Sequence, residues 1–177
     1  MPFESAGSPA IAYVNASLHR QLRQPIWGWM GAADVFAMKE TYEPADDVRR
    51  FVSGTPPIFA MLAMEAMLEL IEAAGIQAIR EKSLALTRFT VELLQAYVLP
   101  LGATLASPAD ERVRGSHVTV AHPRFRDILD RLWERGVIPD FRAPDGIRIG
   151  LSPLSTTFAE VEVGVRAIGE ELRNALR

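Results

Sequence analysis

Residues 116–120, Ser116-His117-Val118-Thr119-Val120, alternate between polar and apolar side chains as the residues of a half-buried β-strand do. Two more short strands are predicted downstream, at 137–138 and at 146–151. Between and after them lie segments whose apolar residues recur at helical spacing. Strand, helix, strand, strand and helix over residues 100–177 predict an α+β sandwich, in which helices cover a small sheet.

Each of the two helices in this sandwich has its own start and stop signals. The first has Pro123 at its beginning, where a missing N–H costs nothing, and Gly136 after its end. The second follows a capping box formed by Thr157 and Glu160. The apolar stripes predicted to be buried are Phe125, Ile128, Leu129, Leu132 and Trp133 in the first helix and Phe158, Val161, Val165, Ile168 and Leu172 in the second.

Two longer helices are predicted upstream of the sandwich. The first has apolar residues at helical spacing from Ile58 to Ile71, and Gly75 fits the left-handed position that ends it. The second runs from about residue 76 to residue 97, which at 1.5 Å per residue is roughly 30 Å, long enough to bridge two domains. Its residues predicted to be buried are Ile79, Leu86, Phe89, Leu93 and Tyr97.

The chain before these helices shows little regular pattern. A turn at residues 7–9 precedes the apolar run 10–14, which is typical of a buried strand. A polar helical stretch, 17–23, ends at Pro25. Residues 25–55 are predicted to be an ordered loop, and loops of this length are often functional.

Composition excludes several classes of protein. The chain has 177 residues, no cysteine and a net charge of −3. Without cysteine there is no disulfide framework, thiolate zinc site or cysteine nucleophile. A slightly acidic chain also lacks the basic face expected of a nucleic-acid-binding protein. The most apolar run, 56–76, is interrupted by Glu65, Glu69 and Glu72, and no signal peptide is apparent at Met1, so we expect a cytoplasmic protein that binds no membrane.

Three features could carry chemistry, and each has a structural alternative. Trp27-Gly28-Trp29 either fills a core or offers a stacking surface to a flat ligand. The turn Ser53-Gly54-Thr55-Pro56-Pro57 precedes a helix, so it either caps that helix or holds a phosphate or carboxylate. The guanidinium of Arg148 is set to one side of its strand, where it either clamps a substrate carboxylate or forms a structural ion pair. No metal site is predicted, because the histidines are too scattered in sequence and favour surface or strand-capping roles: His19, His117 and His122.

Several blocks of the sequence resemble the kynureninase family in its bacterial form. They occur in the family's order with matching gaps over nearly the whole chain, and they are Gly7-Ser8-Pro9-Ala10, Arg23-Gln24-Pro25-Ile26-Trp27-Gly28-Trp29, Gly54-Thr55-Pro56-Pro57-Ile58, Leu84-Ala85-Leu86-Thr87, Arg114-Gly115-Ser116-His117-Val118, Arg135-Gly136-Val137-Ile138-Pro139-Asp140-Phe141-Arg142, Gly146-Ile147-Arg148-Ile149-Gly150 and Ser152-Pro153-Leu154. The chain resembles the carboxyl-terminal portion of the family only. The resemblance therefore implies an α/β protein, α+β in its C-terminal part, that corresponds to the end of an aspartate-aminotransferase fold.

The same resemblance implies a division of the chain and a chemistry. Residues 1–75 would be a remnant of the large cofactor-binding domain, with a strand, a cofactor and substrate loop and a helix; residues 76–177 would be the small domain, headed by the linking helix 76–97. Kynureninases are homodimers that use pyridoxal 5′-phosphate to hydrolyse L-kynurenine, or 3-hydroxykynurenine, in tryptophan catabolism. Trp29 and Thr55 match residues that contact the cofactor phosphate, and Arg148 matches the arginine that holds the substrate's α-carboxylate.

The resemblance also implies what this chain lacks. The family's cofactor-binding lysine would fall just ahead of Met1, and neither Lys39 nor Lys82 matches it, so we expect the chain alone to be inactive. It would then pair with a missing N-terminal half. Two alternatives stay open: a non-catalytic fragment that dimerises with an intact subunit, and another enzyme of the same fold, such as a cysteine desulfurase. Apolar side chains that would face the absent sheet are expected to be exposed and to favour association: Ile11, Tyr13, Trp27, Trp29 and Phe36.

Overall fold

The computed structural model describes residues 10–177. Within this range the chain divides into two compact units, residues 10–69 and residues 70–177. The boundary falls inside the first α-helix, α1 (Ile58–Ala74). The rest of the first unit is irregular chain with three short 3-10 helices, Ala16–Leu18, Trp29–Gly31 and Val48–Phe51. The turn predicted at residues 7–9 lies outside the described residues.

The second unit contains three more α-helices and a four-stranded sheet. The strands pair antiparallel throughout, in the order β1-β2-β4-β3. This arrangement confirms the α+β sandwich predicted for residues 100–177. In chain order the elements are α2 (Ile76–Tyr97), β1 (Thr104–Leu105), β2 (His117–Ala121), α3 (Phe125–Glu134), β3 (Asp140–Arg142), β4 (Gly146–Gly150) and α4 (Phe158–Ala175).

The core of this unit lies between the sheet and the three helices. Val118 and Val120 on β2 are fully buried, as is Ile147 on β4, which pairs with Val120 in the ladder. The alternation of residues 116–120 is therefore confirmed, since one face of β2 packs inward and the other does not. The helices contribute Leu86 and Leu94 from α2, Phe125, Ile128 and Leu132 from α3, and Val165, Ile168 and Leu172 from α4.

The helix signals in the sequence fix several boundaries. Helix α2 begins and ends at the predicted residues. The capping box at the start of α4 is present: the hydroxyl of Thr157 accepts from the Glu160 backbone N–H at 3.2 Å, and the Glu160 carboxylate accepts from the Thr157 N–H at 2.7 Å. Gly75 separates α1 from α2 with φ of +77° and ψ of 140°. Its φ is positive as expected, but its ψ lies outside the left-handed helical region.

Some burial predictions for the helices were wrong. Ser83, Thr87 and Thr90 are buried on α2, whereas four residues predicted to be buried are only partly covered: Ile79, Phe89, Leu93 and Tyr97. Small hydroxyl residues occupy this face because α2 approaches the segment before β2 closely; the hydroxyls of Ser83 and Ser116 lie 2.7 Å apart. Two further residues predicted to be buried are exposed. Trp133 lies at the end of α3, and Phe158 lies at the beginning of α4.

The strand predicted at residues 137–138 is also wrong. The backbone N–H of Val137 donates to the carbonyl of Leu132 at 2.8 Å, so this residue closes the end of α3. A backbone N–H used in a helix terminus is not available to a sheet ladder. The edge strand β3 consequently begins at Asp140, three residues after Val137.

The amino-terminal predictions were wrong in a similar way. Residues 10–14 form no strand, and Tyr13 is 88% exposed. A strand needs a partner for its backbone groups, and residues 10–177 provide none to this run. The helix predicted at 17–23 is reduced to the 3-10 turn Ala16–Leu18, capped by the side chain of Asn15.

Helix α1 is strongly apolar outside the face that carries Glu65, Glu69 and Glu72, and none of its residues is buried. Phe59 is 90% exposed, and Ile58, Leu62 and Leu70 are also more than half exposed. The apolar face of such a helix normally packs against a core. The predicted exposure of apolar side chains elsewhere in the first unit is confirmed for Ile11, Tyr13, Trp27, Trp29 and Phe36.

One stretch, residues 76–101, is long and apolar enough to pass a length and composition test for a membrane-spanning helix. It comprises α2 and the turn after it. Leu86, Leu94 and Val98 in this stretch are fully buried in the core of the second unit. An amphipathic core helix accounts for the composition without a bilayer.

Candidate functional site

The tryptophan loop, residues 27–29, and the turn at residues 53–57 are far apart in sequence but in contact in the first unit. Gly28 lies against the backbone of Ser53 so closely that a Cβ on Gly28 would be 1.3 Å from the Ser53 carbonyl oxygen. Only glycine permits this approach. On the other side of the contact, the Ser53 hydroxyl lies 3.5 Å from the carbonyl oxygen of Ile26. The segment carrying Trp29 and the segment carrying Thr55 are therefore held side by side.

Neither tryptophan of this loop fills a core. Trp27 is 68% exposed and stacks on Tyr42, with ring centroids 4.9 Å apart and an angle of 11° between the planes. Trp29 is 52% exposed and meets Phe36 edge-on, at 6.4 Å and 74°. Among residues 10–177, no hydrogen-bond acceptor lies against the Trp29 indole N–H. The loop thus presents an aromatic surface and an unused donor.

Thr55 lies on an open turn immediately before α1. Its side chain is exposed, and its hydroxyl has no hydrogen-bond partner within the described part of the chain. A Cβ added to Gly54 would meet nothing within 4 Å, so a ligand can approach the turn from that side. Pro56 and Pro57 carry no N–H, which leaves Gly54, Thr55 and the first turn of α1 as backbone donors.

Arg148 belongs to the second unit, and its surroundings are described there alone. It lies on β4 between Ile147, which is buried, and Ile149, and it pairs with Thr119 on one side and Asp140 on the other. One guanidinium nitrogen of Arg148 contacts the carboxylate of Asp140. The structural ion pair that the sequence left open is therefore present.

Asp140 holds two arginines at once. The same carboxylate oxygen that contacts Arg148 accepts a hydrogen bond from Arg142 Nη2 at 2.5 Å. Partial burial acts to raise the pKa of Asp140, but the hydrogen bonds and charges of Arg142 and Arg148 outweigh it and hold that pKa below its ordinary value of 3.8. Asp140 stays ionised at neutral pH and fixes the direction of the Arg148 side chain.

Asp140 was not predicted to be a site residue, although it lies in the block 135–142 that resembles the family. The signal that could have found it is the tight β3–β4 hairpin, in which residues 140 and 148 are directly opposite each other. Opposite charges at such positions attract across an antiparallel pair. That signal depends on the register of the hairpin, and the strand was predicted to begin three residues too early.

Lys39 is not prepared to act as a nucleophile. The ammonium of Lys39 lies 2.8 Å from the Glu43 carboxylate, and this hydrogen bond and charge raise the pKa of Lys39. A nucleophilic lysine needs the opposite shift, toward a neutral amine. Lys82 lies on α2, in the other unit.

Two of the three histidines contact backbone groups, and the third is exposed. His19 Nε2 lies 2.9 Å from the Val14 carbonyl oxygen, and Nδ1 of the buried His122 accepts from the Arg124 backbone N–H at 3.0 Å. His117 is exposed at the start of β2. Within residues 10–177 no three metal-ligating side chains come together.

Comparison with known proteins points to one family. A family model described as the kynureninase C-terminal domain matches residues 79–168, about half of the chain. A kynureninase from Pseudomonas fluorescens is 38% identical over 166 residues, which cover 94% of this chain and 40% of that protein. A kynureninase from Deinococcus radiodurans is 36% identical over 169 residues, covering 94% of this chain and 41% of that protein. The chain thus spans about two fifths of the length of the curated relatives it matches.

A solved structure bears on the fold. The apo cysteine desulfurase from Thermococcus onnurineus NA1 matches with a TM-score of 0.73 and 18% identity, over 92% of this chain and 42% of that chain. This likeness confirms the predicted fold class, the C-terminal portion of an architecture shared with cysteine desulfurases.

Proposed function

From the premise that the chain belongs to the kynureninase family, we propose that it supplies part of a cytoplasmic enzyme that hydrolyses L-kynurenine to anthranilate and L-alanine. Its contribution is the phosphate-binding loops and the carboxylate-binding arginine. One observation carries the proposal: Gly28 lies against Ser53, so Trp29 and Thr55 are held on neighbouring segments.

Pyridoxal 5′-phosphate is the cofactor that this arrangement fits. A phosphate needs several N–H and O–H donors, and the indole N–H of Trp29, the hydroxyl of Thr55 and the backbone N–H groups beside Gly54 have no acceptor among residues 10–177. When bound, the cofactor supplies an electron-withdrawing ring that stabilises negative charge on the substrate. The aromatic surface at Trp29 excludes water from one side of the phosphate.

Arg148 is proposed to bind the α-carboxylate of the substrate. The closest contact with Asp140 is made by one terminal nitrogen of the guanidinium, and we propose that Nε and the other terminal nitrogen bind the substrate carboxylate. An arginine already oriented by a partner loses less rotamer freedom when a ligand binds. Asp140 is thus proposed to position Arg148 rather than to compete with the substrate for it.

The chain is proposed to be inactive by itself and to act together with another polypeptide of the same family. Lys39 is paired with Glu43 and is a poor candidate for the cofactor's amine partner. The apolar helix α1, none of whose residues is buried, supports the need for a partner, because a surface of this kind is covered in stable proteins. The same exposure favours dimerisation as the second candidate function.

The experiment that tests the proposal is complementation. The purified chain is mixed with pyridoxal 5′-phosphate and L-kynurenine, with and without the remaining, N-terminal three fifths of the Pseudomonas fluorescens kynureninase. We expect anthranilate fluorescence only when both polypeptides are present. Anthranilate from the chain alone, or a stable complex that makes none, would contradict the proposal; 3-hydroxykynurenine in place of L-kynurenine shows which substrate is preferred.

Two variants assign the roles. Arg148→Gln should raise the KM for L-kynurenine at least about tenfold, since a charged hydrogen-bonding pair is lost. Arg142→Gln is the matched control, because Arg142 binds the same Asp140 carboxylate and has no proposed role toward substrate. Equal effects of both variants would assign Arg148 to the ion pair only.

A further inference from the structure

A groove in the first unit gathers three arginines around a stacked aromatic pair. Its volume is about 310 Å³, and Arg20, Arg23 and Arg50 line it together with Trp27 and Tyr42. Among residues 10–177 the lining includes no acidic side chain. Neither Trp29 nor Thr55 lines it, so this groove is separate from the phosphate-binding segments of the proposed function.

The charges of the groove are poorly compensated from within residues 10–177. Arg20 contacts Asp46 at 3.2 Å, but both side chains are more than three quarters exposed, and a pair in that setting is weak. Arg23 and Arg50 have no carboxylate partner in the described part of the chain. Three guanidinium groups around one groove repel one another, and a bound anion removes that repulsion.

The aromatic pair offers a ring-binding surface in the same place. The plane of Trp27 is fixed by its stacking on Tyr42, with an interplanar angle of 11°, while the tryptophan stays 68% exposed. Gln24 is anchored beside it, because its side-chain nitrogen donates to the carbonyl of Phe51 at 3.0 Å. A flat ligand can stack on an indole that is already held in position at a small entropy cost.

We propose that this groove binds a small planar ring compound that carries a phosphate or carboxylate group. The ring stacks on Trp27, and the anionic group contacts Arg23 and Arg50, with Arg20 exchanging Asp46 for the ligand. Guanidinium groups match both anions through paired hydrogen bonds. The volume lies at the small end of the range for ligand pockets, which limits the ligand to about one ring system.

Calorimetric titration of the full chain tests the proposal with four probes. Phenyl phosphate carries a ring and a dianion, benzoate a ring and one charge, inorganic phosphate the anion alone, and phenol the ring alone. We expect phenyl phosphate or benzoate to bind at least about tenfold more tightly than inorganic phosphate or phenol. The stronger of the first two identifies the anionic group. Equal binding of phenyl phosphate and inorganic phosphate would overturn the role of the ring.

Matched variants locate the bound probe. Arg50→Gln and Arg23→Gln should each weaken binding of the tighter ring anion about tenfold. Arg49→Gln should not, since Arg49 is the neighbour of Arg50 on the same 3-10 helix but does not line the groove. Trp27→Ala should weaken ring-anion binding roughly two- to tenfold and leave inorganic phosphate unchanged. An equal loss in Arg49→Gln would overturn the proposal, because the effect would then be one of net charge.

A last variant separates this groove from the proposed cofactor site. Trp29→Phe combined with Thr55→Ala removes the donors of the proposed function and leaves the groove lining intact. Retained binding of the ring anion supports the groove whether or not complementation yields anthranilate. Loss of binding in this variant, with Arg23→Gln and Arg50→Gln unaffected, would overturn the inference and assign the probe to the Trp29–Thr55 segments. Near-ultraviolet circular dichroism verifies that each variant keeps the Trp27–Tyr42 stack of the parent chain, except where Trp27 or Trp29 is itself replaced.

Discussion

Asp140 and Arg148 are cross-strand partners in the β3–β4 hairpin, and their side chains form an ion pair on the face of β4 opposite Ile147. The sequence offered two roles for Arg148, an ion pair or a clamp for a carboxylate. The hairpin allows both, because Asp140 fixes the guanidinium from one side. We expect Asp140 to stay in place when a substrate carboxylate binds Arg148, because Arg142 also holds the Asp140 carboxylate.

The Asp140 cluster predicts a pH-dependent contribution to stability. The folded-state pKa of Asp140 is depressed below 3.8, so its contribution is fully present above that unfolded value and is lost as the pH falls through the folded-state pKa. We expect Asp140→Asn to lower the free energy of unfolding by about 0.2–1 kcal/mol at pH 7, because the side chain is partly exposed and water screens the pair. Urea unfolding at pH 7 and at pH 3 should show the difference from wild type shrinking at the lower pH.

Asp130→Asn is the control for that measurement, since Asp130 is exposed on α3 and has no ion pair among residues 10–177. Its effect should be close to zero at both pH values. A deficit of Asp140→Asn that grows as the pH falls would contradict the depressed pKa.

Glu171 forms the most buried ion pair of the second unit. Its side chain is 10% exposed and accepts from Arg131 Nε at 2.8 Å and from Arg135 Nη1 at 2.9 Å, which join α3 to α4. The hydrogen bond from Arg131 is the main cause that lowers the pKa of Glu171, against burial, with Arg135 adding to it. We expect Glu171→Gln to lower the free energy of unfolding by about 1–2 kcal/mol, measured by urea titration.

Glu170→Gln is the matched comparison, one position away on the same helix. Glu170 accepts from Arg135 at 2.8 Å, but its side chain is 53% exposed. Its replacement should cost less than about 0.5 kcal/mol. Equal losses in the two variants would show that burial of Glu171 does not strengthen its pairs.

Local patterns were predictable from the sequence, and long-range contacts were not. The alternation around Val118 and the capping box at Thr157 depend on neighbours within a few residues, and both were predicted correctly. The approach of Gly28 to Ser53 joins positions 25 residues apart, and no local pattern encodes it. The position of β3 was missed because Val137 is needed to end α3, a competition that strand propensity does not describe.

The Gly28 contact leads to a prediction about the tryptophan loop. Gly28→Ala would place a Cβ 1.3 Å from a backbone oxygen, so the loop or the turn must move. We expect the near-ultraviolet circular dichroism of the stacked Trp27–Tyr42 pair to change, because both rings are held by this loop region. Gly54→Ala is the control, since a Cβ there meets nothing within 4 Å. A spectrum unchanged in Gly28→Ala would show that the two segments do not touch.

The exposed apolar residues of α1 are expected to affect self-association, and the buried residues of the second unit are expected to affect the free energy of unfolding. Phe59 and Leu62 are exposed on α1, so replacing both by Glu should change the free energy of unfolding by less than about 1 kcal/mol while reducing self-association. Phe125, fully buried between α3 and the sheet, is the contrasting position, and Phe125→Ala should cost about 3–5 kcal/mol. Sedimentation velocity over a range of concentrations measures the association, and urea titration measures the stability. If the Phe59 and Leu62 variant unfolded as readily as Phe125→Ala, α1 would be part of a core, and its apolar surface could not be the one that drives association.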